Sequence, residues 1–164
     1  MSIFYAGKPA EGLKSIWRSM AQVDKSVLVE YACEQMYALV RDVEQYPRFL
    51  PWCSGAAARP VDARTVRASL TIDYHGVRQS FTTENTHDEP SNIEIELVEG
   101  PFRHLHGSWH FTALGPSACK VRLRLSYEFS SRILEKLVGP VFGYIANTLV
   151  DAFVKRAAQL HGSR

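Results

Sequence analysis

Three histidines are the first residues whose spacing invites a chemical role. His104 and His106 lie two apart, and His110 follows. On a strand an i, i+2 pair shares one face with about 7 Å between its members, and a six-residue step covers about 20 Å. A zinc ion needs every ligand within about 2.1 Å, so a regular strand cannot bring all three rings to one ion, and no cysteine shares their face. They are expected on a solvated outer face, between a strand carrying Glu94 and Glu96 and one carrying Arg122 and Arg124. Nucleophilic chemistry has as little support. There is no G-x-S-x-G, no glycine-rich phosphate loop, and no histidine at a sequence-evident position for Cys33, Cys53 or Cys119. Three cysteines without C-x-x-C spacing imply free thiols in a reducing cytosol. No catalytic residue and no metal ligand is assigned.

The elements that could position a site fit one domain. The chain has 164 residues, 46% hydrophobic and 22% charged, which suffices for a core of its own. The net charge of +2 resides in residues 1–20; the remainder holds 16 bases and 16 acids. A neutral body lacks the basic footprint of a dedicated nucleic-acid binder, so DNA is not an expected partner. The longest uncharged apolar stretch, Leu137 to Val150, spans 14 residues, short of the roughly 18–20 that cross a bilayer. Gly, Lys, Pro and Glu interrupt the first twenty residues, so they do not read as a signal peptide. The expected location is the cytoplasm, with at most peripheral contact at the inner membrane. Residues 1–19 show no packing periodicity and are expected to be a disordered extension; 20–162 form the domain.

Alternation places a strand over 23–31, with Val23, Val27, Val29 and Tyr31 on one side. Met36, Leu39, Val40 and Val43 recur at helical spacing, which predicts a helix over 33–44 ended by Tyr46-Pro47. An apolar knot, Phe49-Leu50-Pro51-Trp52, follows. Strands are then read through Val66–Ile72, Val77–Thr83, Ile93–Leu97, Leu105–Phe111 and Cys119–Phe129, with turns at His75-Gly76, Gly100-Pro101 and Gly115-Pro116. Phe142, Ile145, Ala146, Leu149, Phe153, Ala157 and Leu160 make one stripe on a last helix, which Gly139-Pro140 should kink or split. The result is an α+β fold: an antiparallel sheet of about seven strands, wet on one face, curling around the last helix.

The inward parity of these strands is almost wholly apolar, with Gln79, Thr83, Cys119 and Tyr127 as exceptions. An acid–base enzyme needs paired titratable groups aimed into its pocket, and they are scarce here. A wide apolar interior with a few hydrogen-bonding tips suits a lipid-like or quinone-like ligand; a solid core is the competing reading. The candidate lining is Phe81, Leu97, Phe102, Trp109, Phe111 and Tyr127 from the sheet and Phe142 and Leu149 from the last helix. Phe49, Leu50 and Trp52 cap the core, gate a cavity mouth or insert at a membrane interface, where Trp is favoured. Outside, Arg64, Arg67, Arg78, Arg122 and Arg124 are expected to be solvated charges balanced by nearby acids, or else a local RNA-contacting patch.

The run Val40-Arg41-Asp42-Val43-Glu44-Gln45-Tyr46-Pro47-Arg48-Phe49-Leu50-Pro51-Trp52-Cys53 resembles the signature of the coenzyme-Q-binding START-like family, within the polyketide cyclase/dehydrase and lipid transport superfamily. Phe81-Thr82-Thr83-Glu84-Asn85, Gly100-Pro101-Phe102, Gly107-Ser108-Trp109-His110-Phe111, Cys119-Lys120-Val121 and the run from Asn147 to Ala157 add to the likeness, which covers residues 20–162. The resemblance implies a helix-grip fold, a curved sheet wrapped around the C-terminal helix and enclosing an apolar cavity. It implies two activities. One branch binds ubiquinone and supports respiration; the other, a ribosome association toxin, binds the large ribosomal subunit and blocks subunit joining. The expectation is a monomeric, non-enzymatic binder of a ubiquinone-like lipid, with no cofactor beyond that ligand. A ribosome-directed inhibitor of translation is the alternative, and an aromatase/cyclase-type enzyme a third.

Overall fold

The structure is a computed structural model that describes residues 20–162; the extension expected over 1–19 lies outside the described residues. Alternating apolar side chains build seven strands: β1 Ala21–Val29, β2 Cys53–Pro60, β3 Thr65–Tyr74, β4 Val77–Asp88, β5 Asn92–Glu99, β6 Phe102–Gly115 and β7 Ala118–Phe129. They form one antiparallel sheet in the order β1-β7-β6-β5-β4-β3-β2. From β2 to β7 each strand pairs with its chain neighbour, and β1 closes on β7. At the β3–β4 turn His75 and Gly76 both take positive φ, 50° and 78°, as a two-residue hairpin loop requires. Gly100 sits at φ 149°, and a Cβ there would lie 2.6 Å from Cβ of Phe81, so the turn into β6 can press against Phe81 only as glycine.

β1 begins and ends two residues earlier than the alternation suggests; Tyr31 lies beyond it, buried, and its hydroxyl donates to the Gly162 carbonyl at 2.7 Å. β2 was not visible in the sequence. Its face is built of Ala56 and Ala58 opposite Leu70 and Ala68, too small to show an apolar rhythm, and Pro60 suits its edge position.

Helix α1, Cys33–Arg41, is shorter than the expected 33–44. Asp42 leaves helical geometry at φ −82°, ψ 67°, and a 3-10 helix, Val43–Arg48, carries the chain through Pro47. Pro47 therefore does not end the helical segment; in tight i→i+3 turns its missing N–H removes a single bond. Helix α2, Arg132–His161, also corrects an expectation: it runs unbroken through Gly139-Pro140. Val138 and Phe142 on either side of the pair are buried, and Pro140 faces outward. Tertiary packing thus holds the helix across the residue that local preference would break. The buried side of α2 is Val138, Phe142, Ile145, Ala146, Val150, Phe153 and Ala157; Leu149 is half-buried, and Leu160, expected in the stripe, is 52% exposed. With a mean hydropathy of 1.5 over its most apolar window, α2 is long and apolar enough to cross a membrane by those measures alone, although part of it is core.

The expectation of three free thiols is also corrected. Cys33, at the first turn of α1, is disulfide-bonded to Cys119 of β7, with Cα atoms 5.1 Å apart. They are 86 residues apart in sequence, so only the docking of α1 on β7 reveals the pair. Cys53 stays free and buried.

Three of the five outward arginines have the expected carboxylate partners. Arg122 grips Asp24 through two bonds of 2.7 and 2.9 Å, Arg78 meets Asp73 at 2.7 Å, and Arg67 pairs with Glu84. The Arg122 guanidinium holds the Asp24 carboxyl below its usual range. His106 meets Glu96 at 3.1 Å and His110 contacts Ser108 at 3.0 Å, both on this face.

Candidate functional site: a cavity with one polar end

The inward faces of β3 to β7 do not close completely on α2. Between them lies a cavity of about 110 Å3. Ala68, Leu70 and Ile72 of β3, Ile93 and Ile95 of β5, and Leu123 and Leu125 of β7 supply apolar wall, and Ile145 and Ala146 of α2 cover it. Of the residues expected to line an interior, Trp52, Phe81, Trp109, Phe142 and Leu149 do so. The others lie elsewhere. Phe102 and Tyr127 belong to an aromatic cluster around Phe142, with ring centroids 4.9 and 4.7 Å from it. Phe111 is core, stacked on Trp109 at 6.2 Å and edge-on to Tyr37 at 5.5 Å. Leu97 is a partly buried flank of the core.

The knot is divided. Leu50 is core. Phe49 packs edge-on against Tyr46 and Phe153 at 6.0 and 5.5 Å, with the Arg156 guanidinium 5.1 Å over its ring. It faces a separate outer groove of about 490 Å3 between the knot and α2. Trp52 alone of the three borders both spaces. Beneath the knot, the Tyr46 hydroxyl donates to the Val40 carbonyl at 2.6 Å, and burial raises its pKa.

Apart from Tyr46 and Trp52, the polar residues of the cavity come from one strand and one helix. β4 continues its inward parity past Phe81 through Thr83, Asn85 and His87, all on the cavity wall. α1 supplies Arg41 to the same wall, and Tyr37, one turn earlier, reaches His87 Nδ1 with its hydroxyl at 2.6 Å. The Thr83 hydroxyl donates to Asn85 Oδ1 at 2.8 Å. Arg41 is neutralised by Asp42 at 2.8 Å and Glu89 at 3.1 Å. Burial pushes the Tyr37 phenol up to about 12, with Glu89 adding to the effect, and burial lowers the His87 imidazole below its ordinary 6.5. Both groups are therefore neutral near pH 7.

Sequence reasoning foresaw Thr83 and missed Asn85, His87, Tyr37 and Arg41. Carrying the β4 parity four residues further would have found Asn85 and His87, since 81, 83, 85 and 87 share one face. Tyr37 and Arg41 carry no such mark; only the packing of α1 reveals them.

The family model of polyketide cyclase / dehydrase and lipid transport matches residues 29–154. The chain is 43% identical over 143 residues to the ribosome association toxin RatA of Vibrio cholerae, covering 87% of this chain and 99% of that one. It is 26% identical to the mitochondrial coenzyme Q-binding protein COQ10 homolog B of Xenopus laevis, covering 86% of this chain and 59% of that one. Among solved structures, an 18 kDa protein from Caulobacter crescentus superposes with a TM-score of 0.69 at 30% identity, over 87% of this chain and 99% of the other. The Zhui aromatase/cyclase of a Streptomyces superposes at 0.70 with 17% identity, over 84% and 93%, a likeness of fold alone. The sheet gripping α2, the cavity between them and the span of the family match agree: the chain belongs to the polyketide cyclase / dehydrase and lipid transport family.

Proposed function

We propose that the chain binds, without turnover, an apolar ligand that carries an oxygenated ring, a quinone-like lipid, in the cavity between the sheet and α2. The observation that carries this reading is a continuous apolar wall ending in one cluster of hydrogen-bonding groups. That is the pattern of small-molecule sites, where an apolar lining gives affinity and a few polar groups fix orientation. The size of the cavity sets a limit. An engineered apolar cavity of about 150 Å3 takes a benzene ring; this one, at about 110 Å3, is smaller, so a substituted ring enters only as the wall yields around it, and a long tail stays outside. A relative named for coenzyme Q binding supports the same class. The test is titration with a short-tailed quinone, read by tryptophan emission, because Trp52 and Trp109 both line the space. Saturable quenching, with lipid found on organic extraction of the purified protein, is expected. Absence of both overturns the reading in favour of a cavity that stays empty.

A second reading rests on a different observation, the identity with a ribosome association toxin along nearly the whole of that relative. Here the outer surface would act, on the large ribosomal subunit. Arg67, Arg78 and Arg122 already have carboxylate partners, whereas Arg124 is exposed. Phosphate contacts release counterions, so binding of this kind falls steeply with salt. Charge reversal at Arg122 and Arg124 should then abolish salt-sensitive co-sedimentation with large subunits and leave quinone quenching intact. Co-sedimentation that ignores both salt and charge reversal counts against this surface.

A further inference from the structure

The polar end of the cavity holds more donors than acceptors. The Tyr37 phenol proton has no acceptor among the described residues other than His87 Nδ1, so Nδ1 accepts it. A neutral imidazole that accepts at Nδ1 carries its proton on Nε2, and Nε2 has no protein partner among the described residues. Asn85 uses its carbonyl oxygen to accept from Thr83, which leaves both N–H bonds of Nδ2 without a protein partner among the described residues. His87 and Asn85 stand two apart on one strand face, about 7 Å from each other, and both border the cavity.

We propose that Asn85 and His87 form a donor pair that recognises the carbonyl oxygen of the bound ring, so that the protein prefers the oxidised, quinone form of its ligand to the reduced, hydroquinone form. This rests on the reading of the cavity as a lipid site and adds the redox state it selects. A quinone oxygen accepts only, and it meets Nδ2–H or Nε2–H without loss. A hydroquinone hydroxyl brings its own proton to Nδ2–H and Nε2–H groups that are already donors, and only the lone pairs of the Thr83 hydroxyl oxygen remain to accept it. Tyr37 acts as a positioning residue: its hydroxyl fixes which nitrogen of His87 bears the proton.

The experiment is anaerobic calorimetric titration of the full chain with three probes: decylubiquinone, its dithionite-reduced quinol, and decylbenzene, which keeps ring and tail but lacks oxygen. The quinone should bind about tenfold more tightly than either of the others, the discrimination expected from one or two net hydrogen bonds. Asn85→Leu and His87→Leu should each lower quinone affinity toward that of decylbenzene, and continued binding of decylbenzene shows that each variant is folded. Tyr37→Phe should shrink the quinone-to-quinol ratio, an effect that loss of packing alone would not produce, since packing treats the two forms alike. Equal affinity for all three probes overturns the donor pair and leaves an apolar site standing. Quinol binding as tightly as quinone, both above decylbenzene, overturns the redox preference. Failure of every probe to bind overturns the cavity reading with it.

Discussion

β4 and β7 are each twelve residues long and obey the same alternation, yet their inward faces differ in kind. β7 presents Cys119, Val121, Leu123, Leu125, Tyr127 and Phe129, and the first three are at most 1% exposed. β4 presents Val77, Gln79, Phe81, Thr83, Asn85 and His87, most of them half-buried. β7 is second from one edge of the sheet, flanked by β1 and β6, and packs under both helices. β4 supplies the polar end of the unfilled part of the interior, to which β7 adds only Leu123 and Leu125. Parity decides which way a side chain points, and the partner across the layer decides what it can be. Against a packed helix only an apolar group is tolerated; against a void, a polar group keeps room for a ligand or water.

Several substitutions would break or sharpen that contrast. Val121→Asp on β7 puts an unpaired carboxylate into a site 1% exposed, and it should cost at least about 4 kcal/mol, seen in urea denaturation as partial or complete loss of the native state. A variant that keeps its midpoint would mean β7 is not the rigid wall described. The next effect is smaller and depends on pH. Burial holds the folded pKa of His87 below 6.5, so the unfolded chain binds that proton more readily. Stability from this source is complete above about pH 6.5 and declines as pH falls through 6.5 toward the folded value. Glu89 opposes the shift and Arg41 adds to it, with Asp88 and Arg64 also beside the ring. Thermal midpoints of wild type and His87→Gln, measured between pH 7.5 and 5, should converge on acidification; parallel curves would show that His87 does not titrate differently on unfolding.

Asn85→Leu should stay within about 1 kcal/mol of wild type in denaturant, because it removes one hydrogen bond to Thr83 and adds apolar contact. A loss the size of a core truncation would place β4 in the same class as β7. On the outer face the two strands should not differ at all. Asp24→Asn weakens the exposed pair with Arg122 and should cost less than about 1 kcal/mol, less still at high salt. A larger cost would give that pair a structural role.

The sequence carried the fold where side chains were large enough to show a rhythm. β3 to β7 and the stripe on α2 were legible because Ile, Leu, Val and Phe alternate with charges. β2 was not, because alanine and glycine leave no contrast between faces. The continuity of α2 was hidden too: Gly139-Pro140 is a local stop, and what overrides it is burial of Val138 and of Phe142, whose ring packs on Phe81, Phe102 and Tyr127 of the sheet. The cavity's apolar wall was half legible. Aromatic residues on the correct parity, such as Tyr127 and Phe111, turned out to fill space with one another, which no single strand reveals. The polar end was the least visible part, since it joins β4 to α1 across about 50 residues.

The order of the sheet has a kinetic consequence. Five of the seven strands, β2 to β6, pair with their immediate successors, so β2 to β7 can zip up through short loop closures. The N-terminal segment is different: β1 meets β7 across 98 residues at Asp24 and Arg122, and Tyr31 meets Gly162 across 131. Contacts of such separation form late. The meander should therefore assemble first as an open trough, with β1 and the two helices sealing it afterwards. Substitutions in the β3–β4 hairpin should slow refolding, and those in β1 should mainly speed unfolding.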